Sequence, residues 1–413
     1  MKKLKLLTIL SLTMLFTQVP TSSILAAQTS ETTSQTQSSV NKDYSNVKKY
    51  AQKFFNNQVS KGTLSNPIEL YNLSDTVQAL YFSSDAGGYL IVDLSDYSIT
   101  EFSKEGTNDY INDRNKKHLY NGPLSYLEES INGQVIDSKT KKSLGNLNDL
   151  KKYDIFKKKG KVRKSNSVVN DIPETSDLAL GYSGATTTTY YNIKKADGSR
   201  PLYNHKITFA NACTPTAAVI LLRYYDEHYN SSFVNDMDLF TDYNVLVKKF
   251  MASEYMCTNL PSTQYPTEKK PLTDGTYFGT FYKDATYGLQ KYIVKDQKVN
   301  CTIEYNGDGQ YPQAVNGATE YYSFDPSIAK SLISSNNPYL ADLQDGWTEG
   351  SSTETYGPHT VTVYGYSTVK YNNYPAYYGY AQAVDGYGLA SAWINALYID
   401  DMIYIDHSYT YHD

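Results

Sequence analysis

Residues 211–225 read Asn-Ala-Cys-Thr-Pro-Thr-Ala-Ala-Val-Ile-Leu-Leu-Arg-Tyr-Tyr, and few structures other than a buried helix entered at Cys213 suit this stretch. Pro215 lacks an N–H and has a fixed φ, so it is at home in a first helical turn and costly further in. From Ala217 onward, Ala218, Leu221, Leu222 and Tyr225 recur at the three-and-four spacing of one apolar face. The small alanines at its start let another element approach closely. A thiol at a helix N-terminus sits beside unpaired backbone N–H groups and the positive end of the macrodipole, which favour thiolate over thiol. A buried structural cysteine gains nothing from that position, so Cys213 is a candidate nucleophile.

The chain context supports chemistry outside the cell. Lys2, Lys3 and Lys5 precede an apolar run from Leu6 to Phe16, with small and polar residues to Ala26-Ala27. This is the pattern of a secretory signal peptide over residues 1–27. The run is shorter than the roughly 20 residues a membrane helix needs, and no other apolar stretch reaches that length. Export without a membrane anchor is expected. Three cysteines in an exported chain leave one unpaired even if the other two bridge. A Cys257–Cys301 bridge is expected, with Cys213 as the free thiol.

The order of the chain suggests two pieces. Residues 28–43 are Gln, Thr and Ser with scarcely a hydrophobe and form a disordered leader. Val47, Tyr50, Ala51, Phe54 and Phe55 mark an amphipathic helix. Alternating runs follow at 76–83, 89–94 and 98–103, the first two joined by Asp85-Ala86-Gly87-Gly88, a hairpin turn. Residues 44–130 therefore read as a small α+β domain. Residues 131–180 read as a basic linker with processing sites, through Lys141-Lys142, Lys151-Lys152, Lys157-Lys158-Lys159 and Lys161-Val162-Arg163-Lys164. Residues 28–164 carry 20 Lys+Arg against 16 Asp+Glu, net +4, whereas 165–413 carry 15 against 27, net −12. A basic N-terminal piece can dock on an acidic C-terminal one, and the acidic balance of the latter excludes a nucleic-acid surface.

Within 181–413 the partners for Cys213 come from a second pattern. His359 opens Thr-Val-Thr-Val-Tyr-Gly-Tyr, an alternating strand, and a second strand at 377–384 leads into Asp385-Gly386-Tyr387-Gly388. Antiparallel pairing brings the start of the first beside the end of the second, which makes His359 and Asp385 neighbours, as a base and its orienting carboxylate require. His205 and His228 flank the cysteine segment, and His407 and His412 lie at the chain end. Residues 231–286 read as a Tyr/Asp/Ser-rich insert, followed by a helix near 287–294, a strand near 299–305, a helix from Pro326 to Ser334 capped by Asp325, and a strand at 338–343. Tyrosine is unusually common, 42 of 413 residues; most are read as strand and surface residues. No zinc spacing or phosphate loop occurs, and Asp342, Asp345 and Glu349 are too irregular for an EF-hand. No cofactor or metal is expected.

Taken together, Cys213-Thr214-Pro215-Thr216-Ala217-Ala218, the His359 strand and Val384-Asp385-Gly386-Tyr387-Gly388 resemble, in family order, the cysteine peptidases of the papain-like clan. Within it they are similar to the bacteriocin-processing peptidases, here in a secreted Gram-positive form. The N-terminal unit also looks like propeptides of secreted bacterial cysteine peptidases, through Gly87-Gly88-Tyr89-Leu90-Ile91-Val92-Asp93 and Gly122-Pro123. The resemblance implies an α+β, papain-like fold, a helical lobe plus an antiparallel sheet lobe, preceded by an α+β propeptide domain. It implies Cys213 as nucleophile, His359 as base and acid and Asp385 as orienter, acting on a peptide or protein substrate with the chain's own propeptide as partner. Thr214 stands where the family has glycine, and no Gln occurs between 165 and 212 to supply the family's oxyanion donor, leaving Asn211 or Asn204 as substitutes. A cell-wall peptide amidase or transpeptidase with the same triad, and a degenerate binding module, are the competing expectations.

Overall fold

The computed structural model describes residues 43–154, 187–193, 202–235, 242–265, 279–306, 311–343, 359–370, 377–387 and 391–412, apart from isolated positions 96, 112, 115, 140, 142, 152, 153, 204, 316, 317, 323 and 324. The signal peptide, the leader to residue 42 and connector residues 155–180 lie outside the described residues.

The N-terminal part begins with α1 (Ser45–Phe54), which buries Val47, Tyr50, Ala51 and Phe54, the face its spacing predicts. It continues as a wider turn over Phe55–Val59. Strands β1 (Ile68–Tyr71), β2 (Val77–Ser83), β3 (Tyr89–Asp93) and β4 (Ile99–Ser103) follow. Gly87 and Gly88, at φ of 85° and 87°, make the turn between β2 and β3. Beyond them, β5 (His118–Tyr120), β6 (Tyr126–Glu129), β7 (Gln134–Asp137) and β8 (Ser143–Asn146) extend the sheet, and α2 (Leu147–Leu150) closes it. The stretch from 131, read from sequence as linker, thus starts as a hairpin, with Lys139 and Lys141 in the connection between β7 and β8.

The C-terminal part contributes β9 (Thr187–Asn192), α3 (Cys213–His228), α4 (Tyr243–Met251), α5 (Tyr282–Gln290), β10 (Cys301–Asn306), β11 (Tyr311–Val315), β12 (Ala318–Tyr322), α6 (Pro326–Ser334), β13 (Tyr339–Leu343), β14 (Thr360–Lys370), β15 (Tyr377–Val384), β16 (Ala392–Asn395) and β17 (Ile399–His407). Asp325 caps α6 by accepting the Ser327 N–H at 2.7 Å.

The papain-like expectation of a helical lobe set against a separate sheet lobe is overturned. The strands other than β11 and β12, which pair with each other, join into one mixed sheet in the order β10-β17-β13-β14-β15-β16-β4-β3-β2-β1-β5-β6-β7-β8, with β9 also paired to β14. The physical reason is edge pairing. β4 lies antiparallel on β16, with Ala392 opposite Ser103, Trp393 opposite Phe102 and Ile394 opposite Glu101. Phe102 stacks on Trp393 at 5.7 Å between centroids and meets Tyr380 and Phe54 edge-on at 5.4 Å each. The joint is sealed by aromatic burial on both sides of the chain. Helix α4 packs on α3, and α3 packs directly on β14, where Thr362 Oγ1 donates to the Ala217 carbonyl at 2.9 Å. Ala217 and Ala218 permit that approach.

The expected Cys257–Cys301 bridge is not formed: no disulfide joins any of the three cysteines. Cys257 is buried, with its thiol donating to the Ser253 carbonyl at 2.9 Å. Cys301 lies on β10, where burial raises its thiol to about 11.

Candidate active site

Cys213 is the first residue of α3, as the Pro215 argument requires. What fixes it against β14 is a relay of hydroxyls. Thr214 Oγ1 and Thr360 Oγ1 are 2.6 Å apart, and Thr360 Oγ1 donates in turn to the buried Asp342 carboxylate on β13. Thr214, which departs from the glycine of the resembled family, therefore ties the helix entrance to the strand that carries the histidine. The Cys213 sulfur accordingly lies at the backbone N–H groups of Thr360 and Thr214. Burial pushes the thiol up, the Asp342 charge adds to this, and those N–H groups pull the other way.

His359 immediately precedes β14. Its Nε2 is 2.7 Å from the backbone carbonyl of Asp385, at the end of β15. The antiparallel pairing of Thr362 with Val384 produces this neighbourhood. The two residues meet as the strand argument expects, but through the main chain of Asp385. The Asp385 carboxylate instead accepts the Tyr387 N–H at 2.8 Å, closing the turn. With Nε2 as donor to a carbonyl, the neutral imidazole presents Nδ1 as its acceptor nitrogen. Burial holds His359 well below the usual histidine range, and a nearby lysine cation reinforces this.

That lysine is Lys139, just past β7 in the N-terminal part. Its Nζ stands 4.3 Å from the Tyr387 ring centroid and 5.0 Å from that of Tyr126. Tyr387 in turn packs on the His359 ring at 5.0 Å. Burial lowers the Lys139 ammonium, while Asp385, Asp137 and Glu101, and Cys213 when ionised, stabilise its charge. The sheet therefore bends round far enough for residue 139, near one end of the strand order, to meet residue 387. Sequence reasoning missed Lys139 because one lysine in a lysine-rich stretch carries no local mark. Tyr387 lay within the quoted motif but without a role.

The turn between Asp385 and Tyr387 depends on Gly386, whose φ is +72° and whose carbonyl accepts the Ile207 N–H at 2.7 Å. A Cβ there would lie 3.1 Å from the Ile207 side chain. Gly386→Ala is expected to cost about 1–2 kcal/mol from left-handed backbone strain alone. Urea unfolding of the variant checks this, and an unchanged midpoint would show that the turn relaxes freely.

The substitute oxyanion donors fare differently. The Asn211 amide donates to Asn259 Oδ1 at 2.8 Å, and Asn204 lies outside the described residues. Two other histidines pack within the framework. His205 stacks on Tyr243 at 3.9 Å, is half-buried and is lowered to about 4, by burial first and then by Arg223. His407, near the chain end, lies on β17 with Nε2 3.2 Å from Asn337 Oδ1. Among the described residues no cluster of three His, Cys, Asp or Glu is placed to hold a metal. Nor is any described helix long and apolar enough to cross a membrane.

Comparison with known protein families and with curated proteins finds no match to this chain.

Proposed function

We propose that the chain is a secreted cysteine endopeptidase made as a zymogen, with Cys213 as nucleophile and His359 as base and acid. The observation that carries this reading is the placement of the Cys213 thiol at the N-terminus of a buried helix, against the residue that follows His359. In the reaction Nδ1 of His359 takes the thiol proton and Sγ attacks the peptide carbonyl. The same proton then passes to the leaving amine. Water, deprotonated by His359, cleaves the thioester and returns the thiol. The backbone carbonyl of Asp385 keeps the ring oriented through Nε2–H. The carboxylate is not the imidazole's hydrogen-bond acceptor, so Asp385 orients through its main chain in this arrangement.

The zymogen part of the proposal rests on charge. A raised thiol and a lowered imidazole describe a neutral pair, and the Lys139 cation beside His359 disfavours the imidazolium that thiolate chemistry needs. Withdrawal of the N-terminal segment removes a cation that opposes the imidazolium, although it also attracts the thiolate, and admits water, which favours the ion pair. Cleavage in the basic stretch up to about residue 180 is the release step in this reading.

The sign for the intact chain follows. A thiol raised above its ordinary value has less thiolate at pH 7 than a model thiol, so alkylation of Cys213 by iodoacetamide is expected to be slower. It should climb about tenfold per pH unit until the thiol titrates. Peptide mapping after timed labelling reads this; a fast plateau from pH 6 upward would mean that the ion pair already exists in the uncleaved protein. For the activity itself, the full-length chain is incubated with an unstructured protein and new amino termini are counted. Hydrolysis that develops with loss of the N-terminal segment and is abolished by Cys213 alkylation supports the reading. Processed chain that releases no amino termini contradicts it.

A further inference from the structure

The Lys139 ammonium marks a place that a cation occupies beside Cys213, and the groups that hold it come from two sources. Tyr126, Asp137 and Glu101 belong to the N-terminal part, while the Tyr387 ring at 4.3 Å and the attracting Asp385 carboxylate belong to the turn next to His359. Withdrawal of the N-terminal part takes away the first set and leaves the second. An aromatic face next to a carboxylate is the arrangement that binds ammonium and guanidinium groups. We propose that Tyr387 and Asp385 form a cation subsite beside Cys213 that receives a lysine or arginine side chain of the peptide substrate, and that Lys139 fills it in the intact chain.

This rests on the peptidase reading and adds the substrate class to it. Two further observations point the same way. Residues 165–413 carry a net charge of −12, so a basic peptide is drawn to this part of the molecule. The connector offers Lys151, Lys152, Lys157, Lys158, Lys159, Lys161, Arg163 and Lys164, so the chain contains a segment of the substrate class the subsite would take.

The test uses the full-length chain with Lys139→Ala, which removes the cation and opens its place. Iodoacetamide labelling of Cys213 is followed in the presence of n-butylammonium, n-butanol or butyrate. The subsite predicts that butylammonium slows labelling at least about threefold more than butanol does, that butyrate does not slow it, and that adding Tyr387→Leu removes the difference. Equal protection by butanol and butylammonium would overturn it. Because the alanine variant can fail to fold, the wild-type chain after processing is also assayed on peptides that differ only in carrying lysine, arginine, norleucine or glutamate. Preference for the two basic peptides supports the subsite. Hydrolysis without that preference overturns the subsite and leaves the peptidase reading standing. Selective amine protection with no hydrolysis of any peptide does the reverse.

Discussion

Cys213→Ser is expected to lower peptide hydrolysis by the processed protein at least about 10³-fold, and His359→Ala by a similar factor. In the proposed reaction the thiol is the attacking atom, and a serine hydroxyl in the same place is far less acidic and less nucleophilic, so the histidine alone does not replace what is lost. In that reaction the two groups act as one unit. The double variant is therefore expected to be little slower than either single one, since a nucleophile without its base, or a base without its nucleophile, leaves nothing further to remove. Rates measured on one peptide for the four proteins check this. If the losses multiply, the two residues work independently and His359 is not the base for Cys213.

The second large effect falls far from the thiol in sequence. Glu101 on β4 is fully buried and accepts the Leu124 N–H at 2.7 Å and hydroxyls from Tyr89 at 3.0 Å, Tyr120 at 3.2 Å and Tyr126. Glu101→Ala strands these donors in a dry interior and leaves a cavity, a loss of about 3–5 kcal/mol. Because Glu101 pairs across to Ile394 on β16 and attracts Lys139, the damage is centred on the joint between the two halves of the sheet. Denaturant unfolding is expected to show the full loss, with faster alkylation of Cys213 well below the unfolding midpoint. Glu101→Gln keeps an acceptor and the volume and is expected to lose less. Wild-type stability in the alanine variant would show that water satisfies the tyrosines and that the joint does not depend on this carboxylate.

The parts of this architecture with a strong local signature were legible in the sequence. Pro215 places the entrance of α3 to the residue, the spacing of Val47, Tyr50, Ala51 and Phe54 gives the buried face of α1, and Asp325-Pro326 gives the start of α6. The alternation after His359 and the strand ending at Val384 bring His359 to Asp385. What the pattern does not encode is which atom of residue 385 meets the ring, because backbone and side-chain acceptors at one position are equivalent to a strand argument.

The fold departs from the papain-like expectation for a related reason. Edge pairing between β4 and β16 joins residues nearly 300 positions apart, and neither Ile99–Ser103 nor Ala392–Asn395 carries a mark of its partner. Short strands such as β5, β7 and β8 lie in a lysine-rich stretch whose composition suggests solvent, yet pairing with neighbours orders them. Lys139 was invisible for the same reason: its role is created by the bend of the sheet.

If Cys213 is a nucleophile that the N-terminal part holds inactive, the reaction of its thiol reports it. The most direct measurement is the mass of the full-length chain, its Lys139→Ala variant and its His359→Ala variant after timed exposure to a peptidyl vinyl sulfone, with the modified residue mapped. The predicted result is a single adduct on Cys213, formed slowly in the intact chain, faster once Lys139 is removed, and negligibly without His359. Adducts spread over Cys257 and Cys301, or a Cys213 adduct formed at the same rate with and without His359, would contradict it.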